Sequence, residues 1–297
     1  MSFPAPRELS PRLLSRLPDR HRSPRRTAWA DAHLGGREVD SALDAPCFDA
    51  AGNLHAVDTA FGRVFRVTPT QWPVVTEYEG WPAGLATGPA DSLLLADRRH
   101  GLMSLDAATG AIAPLLETAG GEGFKGLGAV ATGPGGQVLL SDSGRSGLQD
   151  AGGCLWRFWP DGRLDRLMGR IPGPRGIALG RGGRHAFLAV AGSAEVWRFA
   201  LDENAPAGMT GLFFRAPGGI AGPAGLAVDA HDRLFVAQPG HGMIWGLDAF
   251  GVPVLAIDCR AFGRSPTGLC MAPDGVTLLV TEADSGSVLS VELPAPG

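Results

Sequence analysis

Lysine is almost absent from this chain. Lys125 stands alone beside 25 arginines, and tyrosine is reduced to one residue. Schiff-base chemistry therefore has a single candidate, and nothing around Lys125 points to the desolvation such chemistry needs. Cysteine is scarce as well: Cys47, Cys154, Cys259 and Cys270 show no close paired spacing, which argues against a disulfide framework or a zinc cluster and leaves four small hydrophobes for the interior. No apolar run reaches the roughly 18 residues of a membrane helix, and no apolar segment follows the basic N-terminus as it would in a secretory leader. A soluble, cytoplasmic protein is expected. Gly-rich phosphate loops, a serine nucleophile elbow and Cys/His metal spacing are all missing.

Charge of either sign is not in excess, with 26 Lys+Arg against 30 Asp+Glu and a net charge of −4. Seven arginines against Glu8 and Asp19 give the first 26 residues +5, leaving −9 on the remainder. That balance disfavours nucleic acid as a partner of the main body.

What the chain does have is a repeat. A polar turn, a short apolar run ending in a polar or acidic residue, a Gly-rich loop and a second apolar run recur six times. The six runs begin at Asn53, Ser92, Gln137, His185, Arg233 and Thr277. A Pro-x-Gly-apolar tetrad precedes four of them, at Pro82–Leu85, Pro174–Ile177, Pro223–Leu226 and Pro266–Leu269. The repeat length of roughly 42–46 residues is that of four short strands in a propeller blade. The 44 Gly and 24 Pro accompany 44% hydrophobic residues, so they punctuate strands and do not signal disorder. The expectation is an all-β, six-bladed β-propeller over residues 43–297, preceded by a basic arm and closure segment over 1–42. The arm is expected to drape on the surface and to close the last blade through Arg37-Glu38-Val39.

In a propeller the innermost strand of each blade starts at one face and the second strand returns to it, so these ends surround a central funnel. The strand-start candidates are Asp44, Ala83, Gly128, Arg175, Ala224 and Thr267. Second-strand ends and their loops add Asp58, Asp97, Arg98, His100, Asp142, Ser143, Gln238, His241, Glu282 and Asp284. Asp58, Asp97 and Asp142 recur at equivalent positions, which suits loop capping. Glu282 and Gln238 occupy the same position with different side chains and are candidates for chemistry and for ligand contact. His100 and His241 are the histidines of the funnel-side loops, either of which could act as a base near neutral pH. Lys125 stands at the funnel-side entry to the third blade, and Trp81, Phe124 and Trp72 could wall a ring-shaped ligand.

The stretch from Asp44 to Val67, the segment Glu79-Gly-Trp-Pro-Ala-Gly-Leu85, Phe124-Lys-Gly126 and Gly222-Pro-Ala-Gly-Leu-Ala-Val-Asp229 resemble the senescence marker protein and gluconolactonase family, and the likeness runs from Leu43 onward. The resemblance implies a six-bladed propeller that opens sugar lactones or related esters with one divalent metal at the bottom of the funnel. It implies ligands at the strand starts: a Glu, an Asn followed by Asp, a further Asn and an Asp. Here those positions read Asp44, Gly128 with Ala129, Arg175 and Ala224. Only Asp44 keeps an oxygen donor, whereas a hard cation needs several. No metal and no cofactor is therefore expected.

Arg175 offers a fixed fork for a carboxylate or oxyanion, or it pairs with Asp44 and plugs the site. Three functions are compatible with these residues. The first is a metal-independent enzyme doing acid/base chemistry on a small anionic or cyclic oxygenated, lactone-like substrate, by hydrolysis or by cyclisation, isomerisation or elimination. In it Arg175, Asp44, Glu282, His241 and His100 are catalytic, and Trp81, Phe124, Lys125, Asp142 and Gln238 bind substrate. The second is a non-catalytic ligand-binding propeller. The third is a metal-dependent lactone hydrolase with Asp44, Asp142 and Glu282 as rearranged ligands. Oligomeric state leaves no trace in the sequence.

Overall fold

The computed structural model of the protein describes residues 5–202, 207–219 and 222–295. Six sheets stand in a ring, each with four antiparallel strands counted outward from the axis. The innermost strands are Leu43–Phe48, Pro82–Thr87, Leu127–Thr132, Pro174–Leu179, Leu226–Val228 and Pro266–Met271. Each is followed by the buried run that the repeat marked, such as Leu54–Asp58 or Leu93–Asp97. The expected six-bladed propeller is the observed architecture.

The core lies between the blades. Six clusters of buried apolar residues fill the six interfaces between neighbouring sheets. Leu85, Leu93 and Leu95 meet Cys47, Val57 and Val64 between the first two blades, and Phe235, Ile244 and Ile257 meet Leu278, Val280 and Leu289 between the last two. Both faces of every sheet are thus covered, which is why the second strands read as continuous apolar runs. All four cysteines are free, three buried and Cys270 partly so. Burial pushes the Cys47 thiol up to about 11.

The Pro-x-Gly tetrad has a steric reason. A Cβ at Gly176 would stand 2.2 Å from the Ala224 carbonyl, and one at Gly225 2.3 Å from the Thr267 carbonyl. Neighbouring inner strands approach so closely near the axis that only glycine fits. Pairing with the second strand also slips at this point, between Asp44 and Cys47, Pro82 and Gly84, Pro174 and Ile177, and Pro266 and Leu269. Such bulges re-aim a side chain, and here the residue they turn toward the axis is the tetrad's variable one.

Ring closure differs from the sequence expectation. Strand Arg12–Arg16, not Arg37–Val39, lies antiparallel on Ser287–Glu292 as the fourth strand of the last blade. Arg7–Leu9 adds a parallel fifth strand to the fifth blade, and Val39 instead bridges Arg25. Trp72, expected as a possible funnel wall, is fully buried against this closure, its indole donating to Ser15 Oγ at 2.8 Å. Between the closing strand and the first blade the chain forms a flap. Arg22 and Asp40 pair at its root at 2.7 Å, and a short helix, Ala28–His33, lies at its tip. None of the described helices is long and apolar enough to cross a membrane.

Candidate functional site

The axial funnel has two joined parts. A narrow base of about 120 Å³ runs between the inner strands and is lined by Asp44, Ala83, Arg98, Gly128, Arg175, Ala224 and Gly268. Above it lies a cavity of about 690 Å³ that shares Asp44, Ala83, Arg98 and Arg175 and adds Trp29, His33 and Leu34 from the flap. The base thus brings together Asp44 and Arg175, both expected there, with Arg98 from the loop after the second blade's second strand.

Asp44 sits beside Ala45, whose φ of +48° is unusual for a residue with a Cβ. Asp44 Oδ1 accepts the Ala45 N–H at 2.8 Å. Burial raises the Asp44 carboxyl above the usual range, with Arg175 and Arg98 opposing that rise. Arg98 is lowered to about 10, by burial first and by Arg175 second. Among the described residues its guanidinium makes one hydrogen bond, a long contact to Ser143 Oγ at 3.4 Å. Among the described residues no ion pair within 4.0 Å joins Asp44 to either arginine, and Arg175 has no hydrogen-bond partner. The plugged arrangement is therefore not the one observed. Both guanidiniums line the base with most of their donors unspent among the described residues, an arrangement chemically able to receive an anion.

A divalent cation does not fit these residues. At the six strand starts the oxygen-bearing side chains are Asp44 and Thr267, and Thr267 Oγ1 already donates to the Leu43 carbonyl at 2.7 Å. Two fixed positive charges stand where a cation would lie, and the described residues hold no group of three or more His, Cys, Asp or Glu side chains suited to a metal.

The remaining sequence candidates lie outside this constellation. Glu282 is fully buried and spends its carboxylate on the Ser265 and Ser285 amides at 2.9 and 2.7 Å. Asp142 accepts from the Lys125 and Gly126 amides at 3.2 and 2.8 Å. Gln238 is buried between the Pro217 carbonyl and the Trp245 indole. Glu282 and Asp142 each perform for their own blade the loop capping that Asp97 performs for the Arg99 and His100 amides. Asp44, Asp142 and Glu282 accordingly do not gather as a ligand set. His100 contacts the Glu79 carbonyl at 2.7 Å and His241 the Gly218 carbonyl at 3.3 Å, both on the exposed rim. Lys125 Nζ donates to the Gly152 carbonyl at 2.8 Å. Phe124 packs edge-on against Trp156 within the blade core. Trp81 stands at the mouth, 5.3 Å from the His33 ring.

His33 is the group that sequence reasoning placed elsewhere, in the arm. The signal available was the i, i+4 pair Trp29 and His33 behind Thr27, whose Oγ1 caps the helix by accepting the Ala30 N–H at 3.1 Å.

A ring of six four-stranded blades with a functional constellation on its axis places the protein among funnel-type propellers. Residues 44–284 match the family described as SMP-30/Gluconolactonase/LRE-like region, and the chain belongs to that family. A gluconolactonase from Zymomonas mobilis is 25% identical over 215 residues, 67% of this chain and 60% of that protein, so the chain spans less than two thirds of its length. Among solved structures, a gluconolactonase of Xanthomonas campestris superposes with a TM-score of 0.76 at 19% identity, over 96% of this chain and 97% of that one. Regucalcin of Agrobacterium tumefaciens, described as a calcium-binding protein, gives 0.75 at 18% identity over 98% of both chains. At these identities the structural likeness speaks for the fold alone.

Proposed function

We propose that this protein is a lactonase-type enzyme that works without a metal ion on a small, anionic or cyclic oxygenated substrate bound in the axial funnel. Family membership and the gluconolactonase relative support the enzyme class. The observation that carries the rest is the Arg98 and Arg175 pair, free of carboxylate partners, beside a carboxyl held toward its protonated form. Arg98 and Arg175 grip the substrate's carboxylate, or the oxyanion that develops from its carbonyl, where a divalent ion would otherwise neutralise that charge. Asp44 is placed to give a proton to the departing or rearranging oxygen. The same parts serve ring opening by water and a metal-free proton relocation such as isomerisation or elimination.

The test joins binding and turnover. Gluconate and inorganic phosphate raise the melting temperature of the wild-type protein and leave that of Arg175→Ala unmoved. Opening of glucono-1,5-lactone, followed by acid release, is unchanged by EDTA and falls by about 10²-fold or more in Arg175→Ala. Activity lost to EDTA and restored by calcium or zinc rejects the metal-free reading. Anion binding with no turnover of any sugar lactone assigns the funnel to ligand binding instead.

A further inference from the structure

The flap carries a histidine with one ring nitrogen left without a hydrogen-bond partner among the described residues. His33 ends the helix Ala28–His33 and lines the larger cavity whose floor is Asp44, Arg98 and Arg175. Its ring is held on two sides, stacked on Trp29 at 5.1 Å and 22° and edge-on to Trp81 at 5.3 Å and 77°. The helix that delivers it is anchored, with Ala30 fully buried and Trp29 packed against Ala42, Ala60 and Phe61 of the first blade. His33 Nδ1 lies 3.0 Å from the Trp29 carbonyl. A carbonyl only accepts, so Nδ1 carries the hydrogen, and in the neutral ring the lone pair is on Nε2. Nε2 has no hydrogen-bond partner among the described residues.

We propose that His33 is a catalytic base contributed by the N-terminal flap, taking a proton through Nε2 from the water that attacks a substrate held below it by Arg98 and Arg175. The proposal rests on the anion-site reading above and deepens it by placing a proton acceptor opposite Asp44. The substrate it selects is a cyclic molecule that reaches from the mouth to the base and carries its anionic or carbonyl oxygen at the lower end. In ring opening, a water proton passes to Nε2 as the water oxygen adds to the lactone carbonyl carbon. The ring C–O bond then breaks, and the departing oxygen takes the Asp44 proton. Solvent returns the proton from His33 to Asp44, so no other reactant is consumed.

Electrostatics agree with the assignment. Burial lowers the His33 pKa, the hydrogen bond to the Trp29 carbonyl opposes this, and Arg98, Arg175 and Arg145 lower it further, leaving it below its ordinary value. The other charged groups around the cavity are Arg37, Glu38 and Asp40 of the flap, Asp44 at the base and Asp284 of the last blade. Arg99 lies over Trp81. The neutral, accepting form of His33 therefore prevails at pH 7.

The experiment has two arms. In the first, NMR follows the imidazole of His33, identified by its loss in His33→Gln. The expected midpoint is below 6.5 in the wild-type protein. It rises in Arg175→Ala without added ligand, and in the wild type on saturation with inorganic phosphate. A midpoint that Arg175→Ala leaves in place shows that His33 does not face the guanidiniums and overturns the proposal. Failure of phosphate alone, with the Arg175 response intact, rejects the anion site and not the position of His33. In the second arm, His33→Gln keeps the wild-type melting temperature, lowers kcat for glucono-1,5-lactone by about 10²-fold and removes the acidic limb of its pH profile. Full turnover with an unchanged profile excludes His33 as the base.

Discussion

Asp58 and Arg63 show how one pair of side chains ties the flap to the propeller. Asp58 is wholly buried, and Arg63 Nη2 reaches its Oδ2 at 2.6 Å while also donating to the His21 carbonyl at 3.1 Å. Asp58 Oδ1 accepts the Ala42 amide at 2.8 Å, where the flap enters the first blade. Burial pushes the Asp58 carboxyl up and Arg63 opposes it, so the carboxylate depends on its partner. Arg63→Ala leaves that charge uncompensated and removes the guanidinium from the Phe61 and Phe65 rings, 4.5 and 5.2 Å away. A loss of about 3–5 kcal/mol follows, measurable by urea unfolding. The sign with pH is set by the raised carboxyl. In Arg63→Ala the folded state holds its proton to higher pH than the unfolded chain does, so the deficit shrinks as pH falls toward the ordinary carboxylate range near 4 and grows above it.

Among the elements, the closing strand was the hardest to read and the inner strands the easiest. The tetrads were legible because close packing at the axis demands glycine at one position in four of the six blades, with Ala45 and Ala129 in the other two, and a demand repeated four times shows in one sequence. Arg12–Arg16 is used once, and its exposed charges conceal it. With Arg12, Leu13 and Arg16 exposed and Ser15 buried, it carries the charged face that protects an outer strand from foreign pairing. The flap helix was hidden for a related reason: six residues are too few for an apolar period to emerge, and His33 gains its place from contacts with Trp81 and the funnel. Glu282 differs from the recurring Asp yet does the same capping of loop amides, whereas Gln238 links the Pro217 carbonyl to the Trp245 indole. The closure makes a direct prediction. Ser15 Oγ accepts from the Trp72 indole and donates to the Thr68 carbonyl, both at 2.8 Å. Ser15→Ala strands a buried N–H and costs about 1–3 kcal/mol in chemical unfolding, whereas an equivalent change at exposed Ser10 alters stability by less than about 0.5 kcal/mol.

At the scale of the whole molecule, the ring holds a pair of like charges at its centre, and that cost sets its response to ligands. Arg98 is held down to about 10, by burial first and by Arg175 second. Among the described residues no carboxylate lies within ion-pair distance of Arg98, and the more distant Asp44 and Asp97 only partly offset burial and the Arg175 repulsion. Stability is therefore given up at the axis in the empty protein and regained when an anion enters, as expected for a site shaped for binding before it is shaped for rest. Arg175→Ala should separate these effects. Without ligand its melting temperature rises above that of the wild type, because Arg98 loses the neighbour that destabilises its charge. With phosphate at about a hundredfold its Kd the wild type gains about 2.7 kcal/mol, and the variant gains little. The two melting curves consequently exchange order as phosphate is added. A variant less stable than the wild type in the absence of anions would mean that Arg175 is held by attraction to Asp44 and not by the space and field reserved for a ligand.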